Sequence, residues 1–366
     1  MSVEREIAGI SYPFAAGVLA AVFVWGSVNP VNTSCHILSS WAIFLSMGLL
    51  LLSHRQGWDC RMQWTIVWLM LLCCGIFTGL NGMELQISSL ESRGAVSRAA
   101  LKYGKMMECA IDQIPFEKTS TAGIIKALLT GNRENLTPET IQTFRNSGAS
   151  HILALSGLHL GILYAIISRA LKLIGNSRTL CICRSLLTIA ICGFYTLATG
   201  AGASITRALI FISVKETAEM TGRYCSLKTV LAVSLLLHLA FAPISVTDIG
   251  FQLSYAAMFG IAYIYPYMKS IWKNNWVGLR KVWDSASLSI SCQITTGPLA
   301  YHYFGTFPQY FLLTNLLAIP LAGLLIPAAL LTLVLSAAGC CPGLLIWLTE
   351  WITTMMTHAL SIIASM

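Results

Sequence analysis

Charge is scarce in this chain. Only 10% of its 366 residues are Asp, Glu, Lys or Arg, against 56% that are hydrophobic, and the mean hydropathy is +0.71. A soluble domain carries about 25% charged residues, so the shortage excludes a water-soluble globular protein and implies an integral membrane protein. Other absences narrow the chemistry. There is no GxxxxGK[ST] phosphate loop, which excludes that route to nucleotide-driven work. The twelve cysteines include Cys73-Cys74, Cys181-Ile182-Cys183 and Cys340-Cys341, but no paired CxxC units at zinc spacing, and no HxHxDH cluster occurs. Most of the cysteines lie in apolar runs, where a thiol acts as a small hydrophobe. Neither a disulfide framework, a metal site nor any other cofactor is expected.

What is present is a series of apolar runs long enough to span a bilayer core. Eleven can be drawn, at about 12–28, 36–53, 64–81, 150–173, 180–200, 204–221, 228–242, 249–268, 286–303, 310–336 and 343–365. They are uniformly apolar rather than alternating, which argues for helices and against barrel strands. The expected fold is an all-α, polytopic transmembrane bundle of about 11 spans, some kinked or broken. No small-residue cleavage site follows the first run, so it reads as a retained anchor rather than a signal peptide.

The net charge of +8 invites a nucleic-acid reading, but its distribution has a simpler cause. With the N-terminus in the cytoplasm, the inner loops collect fourteen Lys and Arg residues, from Arg5, Arg55 and Arg61 through to Lys269, Lys273, Arg280 and Lys281. The short outer loops near 29–36, 200–203, 243–248 and 304–309 carry none. This is the positive-inside pattern. It predicts a multi-pass membrane protein with a cytoplasmic N-terminus and an external C-terminus.

Taken in order, the chain divides into a three-span anchor (1–82), a short outer amphipathic linker (83–118) and a larger membrane domain (119–366). Between Val96 and Ile114 apolar residues recur at helical spacing among Arg98, Lys102, Lys105 and Asp112, predicting a helix on the bilayer surface or against the bundle. A second short helix is expected from Ser120 to Thr130, stopping at Gly131. A third begins at Thr137-Pro138, with Thr as N-cap and Pro in the first turn.

Polar residues inside the apolar runs are the candidate functional set. Ser156 and His159, three apart, would share a helix face, beside Gly157 and Gly161, a small-xxx-small pair suited to close helix packing. The plainer reading is that His159 hydrogen-bonds a neighbouring carbonyl. Arg207 lies one turn inside its run, where an unpaired charge costs about 2.5–3.5 kcal/mol on insertion scales; it either snorkels outward or pairs in a polar cavity. Lys215 and Glu219 read as an i,i+4 surface pair. Asp248 is a natural N-cap, with Gln252 and Ser254 following it. The 286–303 run alternates serines with apolar residues, with an expected break near Gly297-Pro298 and His302 at its outer end. Asn315, Pro320 and Pro327 make the next run long and kinked. Ser156, His159, Arg207, Asp248, Gln252, Ser254, His302 and Asn315 are thus expected to face a polar interior, as pores and transporters require.

Four blocks stand in order: ALLTGNRENL…FRNSGASHILALSGLHLGIL (127–163), GASITRALIF (202–211), DIGFQLSYAAMFGI (248–261) and GPLAYHYFGTFPQYFLLTNLLAIPLAGLLIPAAL (297–330). Together they resemble the membrane domain of the ComEC family, the inner-membrane channel for single-stranded DNA in natural transformation. The resemblance covers roughly 120–340, and the first three spans resemble the family's N-terminal anchor. It implies a bacterial inner-membrane location and single-stranded DNA as cargo. Because entry of a polyanion against an inside-negative potential is uphill and no phosphate loop or metal cluster is present, an outer DNA receptor and an inner helicase-like motor are expected as partners and no catalytic residues are expected; self-assembly into a homo-oligomer is left open. The family's OB-like domain has only residues 83–118 in its place, too few for five strands, and nothing matches its metallo-β-lactamase-like domain. The alternative is a secondary transporter of a small polar solute. An enzyme built on His159 or His302 ranks below both, since no nucleophile–base spacing supports it.

Overall fold

The computed structural model describes residues 3–25, 33–56, 58–88, 95–153, 155–173, 175, 177–223, 225–272, 276–305 and 310–366. Among them no strand occurs: the protein is an all-α, multi-pass membrane protein. In chain order the described helices are α1 (Val3–Ala20), which runs on into a π-helical turn at Ala21–Trp25, then α2 (Thr33–Arg55), α3 (Cys60–Ser88), α4 (Ala95–Asp112) and α5 (Thr119–Thr130). Next come α6 (Pro138–Asn146), α7 (Ser150–Leu153), α8 (Gly157–Lys172), α9 (Arg178–Ala198), α10 (Ala203–Met220) and α11 (Leu227–Phe241). A 3-10 turn at Pro243–Thr247 leads to α12 (Ile249–Phe259), and a π-helical turn at Gly260–Ile264 joins that to α13 (Tyr265–Ile271). The chain closes with α14 (Val277–Phe304), α15 (Phe311–Ala337) and α16 (Gly343–Ala364).

Within the described residues each expected apolar run falls on one of these helices or on adjacent helical segments; the end of the first run, 26–28, lies outside them. Among the described residues five stretches, Glu6–Phe23, Ile37–Arg55, Cys60–Gly82, Arg178–Ala198 and Phe311–Ala337, are long and apolar enough to cross a membrane. One expectation is corrected. The break near Gly297-Pro298 is absent, and α14 continues through Pro298 to Phe304. A proline removes a single N–H donor, and inside a bilayer there is no water to reward unwinding further. The breaks fall elsewhere, between α7 and α8 and in the π-helical turn after α12.

The chain forms two compact units, one of Met1–Arg93 with Tyr224–Ala262, the other of Gly94–Arg223 with Tyr263–Met366. In the first, α1 packs along α3 and α11, and α2 lies on α3. Small residues make the α1–α3 seam: a Cβ on Gly17 would run into the Leu72 carbonyl, one on Gly75 into the Phe14 carbonyl, and one on Gly79 would stand 2.7 Å from the Ala21 Cβ. Where lipid is as apolar as the side chains, such close backbone approach supplies the packing energy that hydrophobic burial cannot.

In the second unit the core forms around α5. Ile124, Ile125, Leu128 and Leu129 are buried with Ala322, Leu325 and Ile326 of α15 and Ile352 and Met356 of α16. The helix stops where the sequence places its stop, at Gly131 in the left-handed region (φ 80°). Its N-terminus is satisfied from far away: the Lys118 N–H donates to Glu350 Oε1 of α16 at 2.9 Å. Lys126, buried on α5, bonds Asp112 of α4 at 2.6 Å. α6 begins as expected, with Thr137 Oγ1 accepting from the Thr140 N–H at 3.2 Å and Pro138 in the first turn. Helices α8, α9 and α10 enclose a second cluster of Leu160, Cys192, Tyr195, Ile205 and Ile212. The Tyr195 hydroxyl, donating to the Leu129 carbonyl at 2.9 Å, links it to α5. α4 packs against α9, with the Tyr103 and Phe194 rings edge to face at 5.2 Å.

Candidate functional site

The break before α8 places a polar pair inside the second unit. Ser156 is extended and caps α8, its Oγ accepting from the Leu158 N–H at 3.3 Å. His159, in the first turn, reaches back: its Nδ1 lies 3.2 Å from the Ser156 nitrogen and 3.1 Å from its Oγ. The two residues do meet, but as cap and first turn rather than along one helical face. Because Nδ1 accepts from the Ser156 N–H, the neutral ring carries its proton on Nε2. That nitrogen is buried with no hydrogen-bond partner among the described residues, and His159 as a whole is 1% exposed. A Cβ on Gly157 would touch the Ala208 Cβ of α10 at 3.3 Å, whereas one on Gly161 would meet open space.

α10 carries two enclosed charges. Arg207 is 3% exposed and Glu216 1%, so the arginine does not snorkel out. Nine residues is two and a half turns, which sets the two on opposite faces, about 13 Å apart along the axis. Glu216 accepts from the Tyr164 hydroxyl of α8 at 2.7 Å, while Lys215 Nζ stands 4.9 Å from the centre of the same ring. Glu219 is paired with Lys172 of α8 at 3.6 Å. The expected Lys215–Glu219 surface pair is therefore replaced by a network joining α8 to α10. Sequence reading missed Glu216 because charges near the end of a span usually belong to the interface, and its partner Tyr164 lies on another helix. Glu350, also buried, was missed because its partner, the Lys118 N–H, is 232 residues away in the chain.

α15 packs on α8 and starts close to the bend before it: the Thr314 hydroxyl donates to the Ser147 carbonyl at 2.5 Å. The next residue, Asn315, has a buried Oδ1 with no hydrogen-bond partner among the described residues. His302 is exposed in the last turn of α14, its ring 5.2 Å from that of Tyr303. The second unit thus joins Ser156 to His159 and brings the start of α8 against α10 next to Arg207, while His302 lies on the surface.

The first unit holds the other three candidates. Asp248 caps α12, accepting from the Gly250 and Phe251 N–H groups at 3.2 Å each. Gln252 Nε2 donates to the Val246 carbonyl at 2.9 Å. Ser254 is half-buried one turn after Phe251. Phe251 and Tyr255 stack around His238 of α11, at 5.0 and 6.0 Å, and Tyr255 donates to the Ser234 carbonyl at 3.1 Å. Asp248 also lines an open cavity of about 650 Å³ with Phe77, Thr78, Asn81, Phe241 and Ser245, a volume in the range of small-ligand sites. Among the described residues no group of three His, Cys, Asp or Glu side chains could hold a metal ion.

Residues 128–366 match the family model described as "Competence protein". Among curated proteins, the chain is 26% identical over 244 residues to ComE operon protein 3 of Bacillus subtilis (strain 168), an alignment covering 65% of this chain and 30% of that protein. The chain therefore spans less than a third of that relative's length. No solved structure matches it.

Proposed function

The chain belongs to the Competence protein family, and on that premise we propose that it forms the conduit through which single-stranded DNA crosses the inner membrane during natural transformation. The observation that carries the reading is Arg207, a cation enclosed at 3% exposure within a helical bundle. Burying a charge in a membrane helix is costly, and a fixed cation suits a cargo bearing a phosphate at every step. In this reading Ser156, His159, Arg207, Asp248, Gln252, Ser254, His302 and Asn315 contribute to the polar lining, with eleven spans, a cytoplasmic N-terminus and an external C-terminus.

A conduit of this kind cannot be its own engine. Moving a polyanion against an inside-negative potential is uphill by about 2.3 kcal/mol per charge per 100 mV, and the sequence has no phosphate loop. An outer DNA receptor would deliver the strand and an inner helicase-like motor would draw it through. The test is transformation of a deletion strain complemented with Arg207→Gln, Arg207→Lys or the wild type, alongside uptake of small polar solutes. Arg207→Gln should lower transformation by about tenfold or more, an effect on the scale of one charge contact, with the amount of inserted protein unchanged and Arg207→Lys intermediate. Wild-type transformation by Arg207→Gln, or a defect confined to solute uptake, would defeat the reading.

A further inference from the structure

The start of α14 combines exposed apolar surface with charge. Trp276, at the start of α14, is 71% exposed, and Val277 beside it is exposed as well. Trp276, Arg280 and Trp283 follow one another at i, i+4 and i+7 and so share a face of α14. Val277 and Lys281 share the adjacent face. Trp272, just after α13, meets Trp283 of α14 edge to face at 5.3 Å. Lys269 is held by Asp284 at 3.2 Å, so among the described residues here Arg280 and Lys281 are the basic side chains outside that pair.

The contrast with α2 shows what this arrangement suits. α2 also exposes large apolar side chains, Leu38 and Phe44 among them, but no Lys, Arg, Asp or Glu occurs from Ile37 to Ser53. That is a face for acyl chains alone. At the start of α14, tryptophan and valine alternate with Arg280 and Lys281 within two helical turns. Indole rings settle at the level of the lipid headgroups, and basic side chains beside them meet the phosphates of acidic lipids. We propose that the start of α14 is a binding surface for anionic phospholipid headgroups, with Arg280 and Lys281 as the headgroup ligands and Trp276 as the interfacial wedge. This rests only on the protein's being embedded in a membrane, so it stands or falls separately from the DNA reading.

The full-length protein, reconstituted in nanodiscs, tests it through tryptophan quenching by lipids brominated near the headgroup. Brominated phosphatidylglycerol should quench more strongly than brominated phosphatidylcholine at the same mole fraction. In Arg280→Gln/Lys281→Gln, the mole fraction of phosphatidylglycerol giving half of that excess should rise about tenfold, as expected for removing two interfacial charges. The charge-conserving Arg280→Lys/Lys281→Arg should keep it, and Trp276→Phe should reduce its amplitude. Equal quenching by the two lipids, or an excess untouched by the neutral pair, would overturn the proposal. So would quenching by an oligothymidylate in pure phosphatidylcholine discs that the neutral pair abolishes, since the surface would then be a stacking platform for nucleic acid.

Discussion

α2 and α5 are equally apolar on average but opposite in burial. α2, twenty-three residues within the anchor, leaves most of its leucines and Phe44 exposed. α5, twelve residues inside a segment with nearly balanced charges, is enclosed from Ile124 to Leu129, with even Lys126 buried. In water both helices would have to bury their apolar side chains. In a bilayer the solvent is itself apolar, so hydrophobic burial no longer sorts the two. What places α5 inside is its polar connections: Glu350 on its N-terminus, Asp112 on Lys126 and Tyr195 on the Leu129 carbonyl.

The most direct way to break this comparison is the same substitution in both helices. Leu128→Ala should cost about 2–5 kcal/mol through the cavity it leaves, whereas Leu38→Ala should change stability by no more than about 0.5 kcal/mol. Thermal unfolding in one detergent, followed by size-exclusion, measures both; similar losses would erase the distinction. Next in size is Tyr164→Phe, which removes the donor from the enclosed Glu216 and should cost about 1.5–3 kcal/mol. Adding Glu216→Leu should recover much of that loss, since removing both partners of a buried polar pair is milder than removing one. A double variant no more stable than Tyr164→Phe would show that the hydroxyl–carboxylate contact is not the source of the effect.

The smallest effects sharpen the contrast in the glycines. Gly17→Ala must push α1 away from the Leu72 carbonyl, at about 1–3 kcal/mol. Gly161→Ala meets open space and should be neutral or stabilising by about 0.5–1 kcal/mol, because alanine favours the helix. A gain at Gly17 or a marked loss at Gly161 would mean that the seams are misassigned.

Much of the fold was legible because a membrane helix writes its length into the sequence, and each apolar run landed on helix. Local caps were legible too: Thr137, Asp248 and Gly131 act through neighbouring residues, so their meaning does not depend on tertiary contacts. The break at Ser156 was visible only as a polar interruption, and its partner His159 was named for its face rather than for its cap. The roles of Glu216 and Glu350 were illegible, because each is set by another helix, Tyr164 on α8 and Lys118 before α5. Pro298 misled for the complementary reason: a proline forbids one hydrogen bond, but whether the helix then breaks is decided by what surrounds it.

The bond from the Lys118 N–H to Glu350 also sets a clock on biogenesis. Its partners are 232 residues apart, and at the usual 5–20 residues per second of synthesis roughly 10–50 s separate their appearance from the ribosome. Throughout that interval the first turn of α5 must be occupied by something other than its native partner, whether water, a lipid headgroup or the insertion machinery. The second unit can therefore close only after α16 has been synthesised. A ribosome that stalls before α16 leaves behind a chain whose most deeply buried helix has no lid.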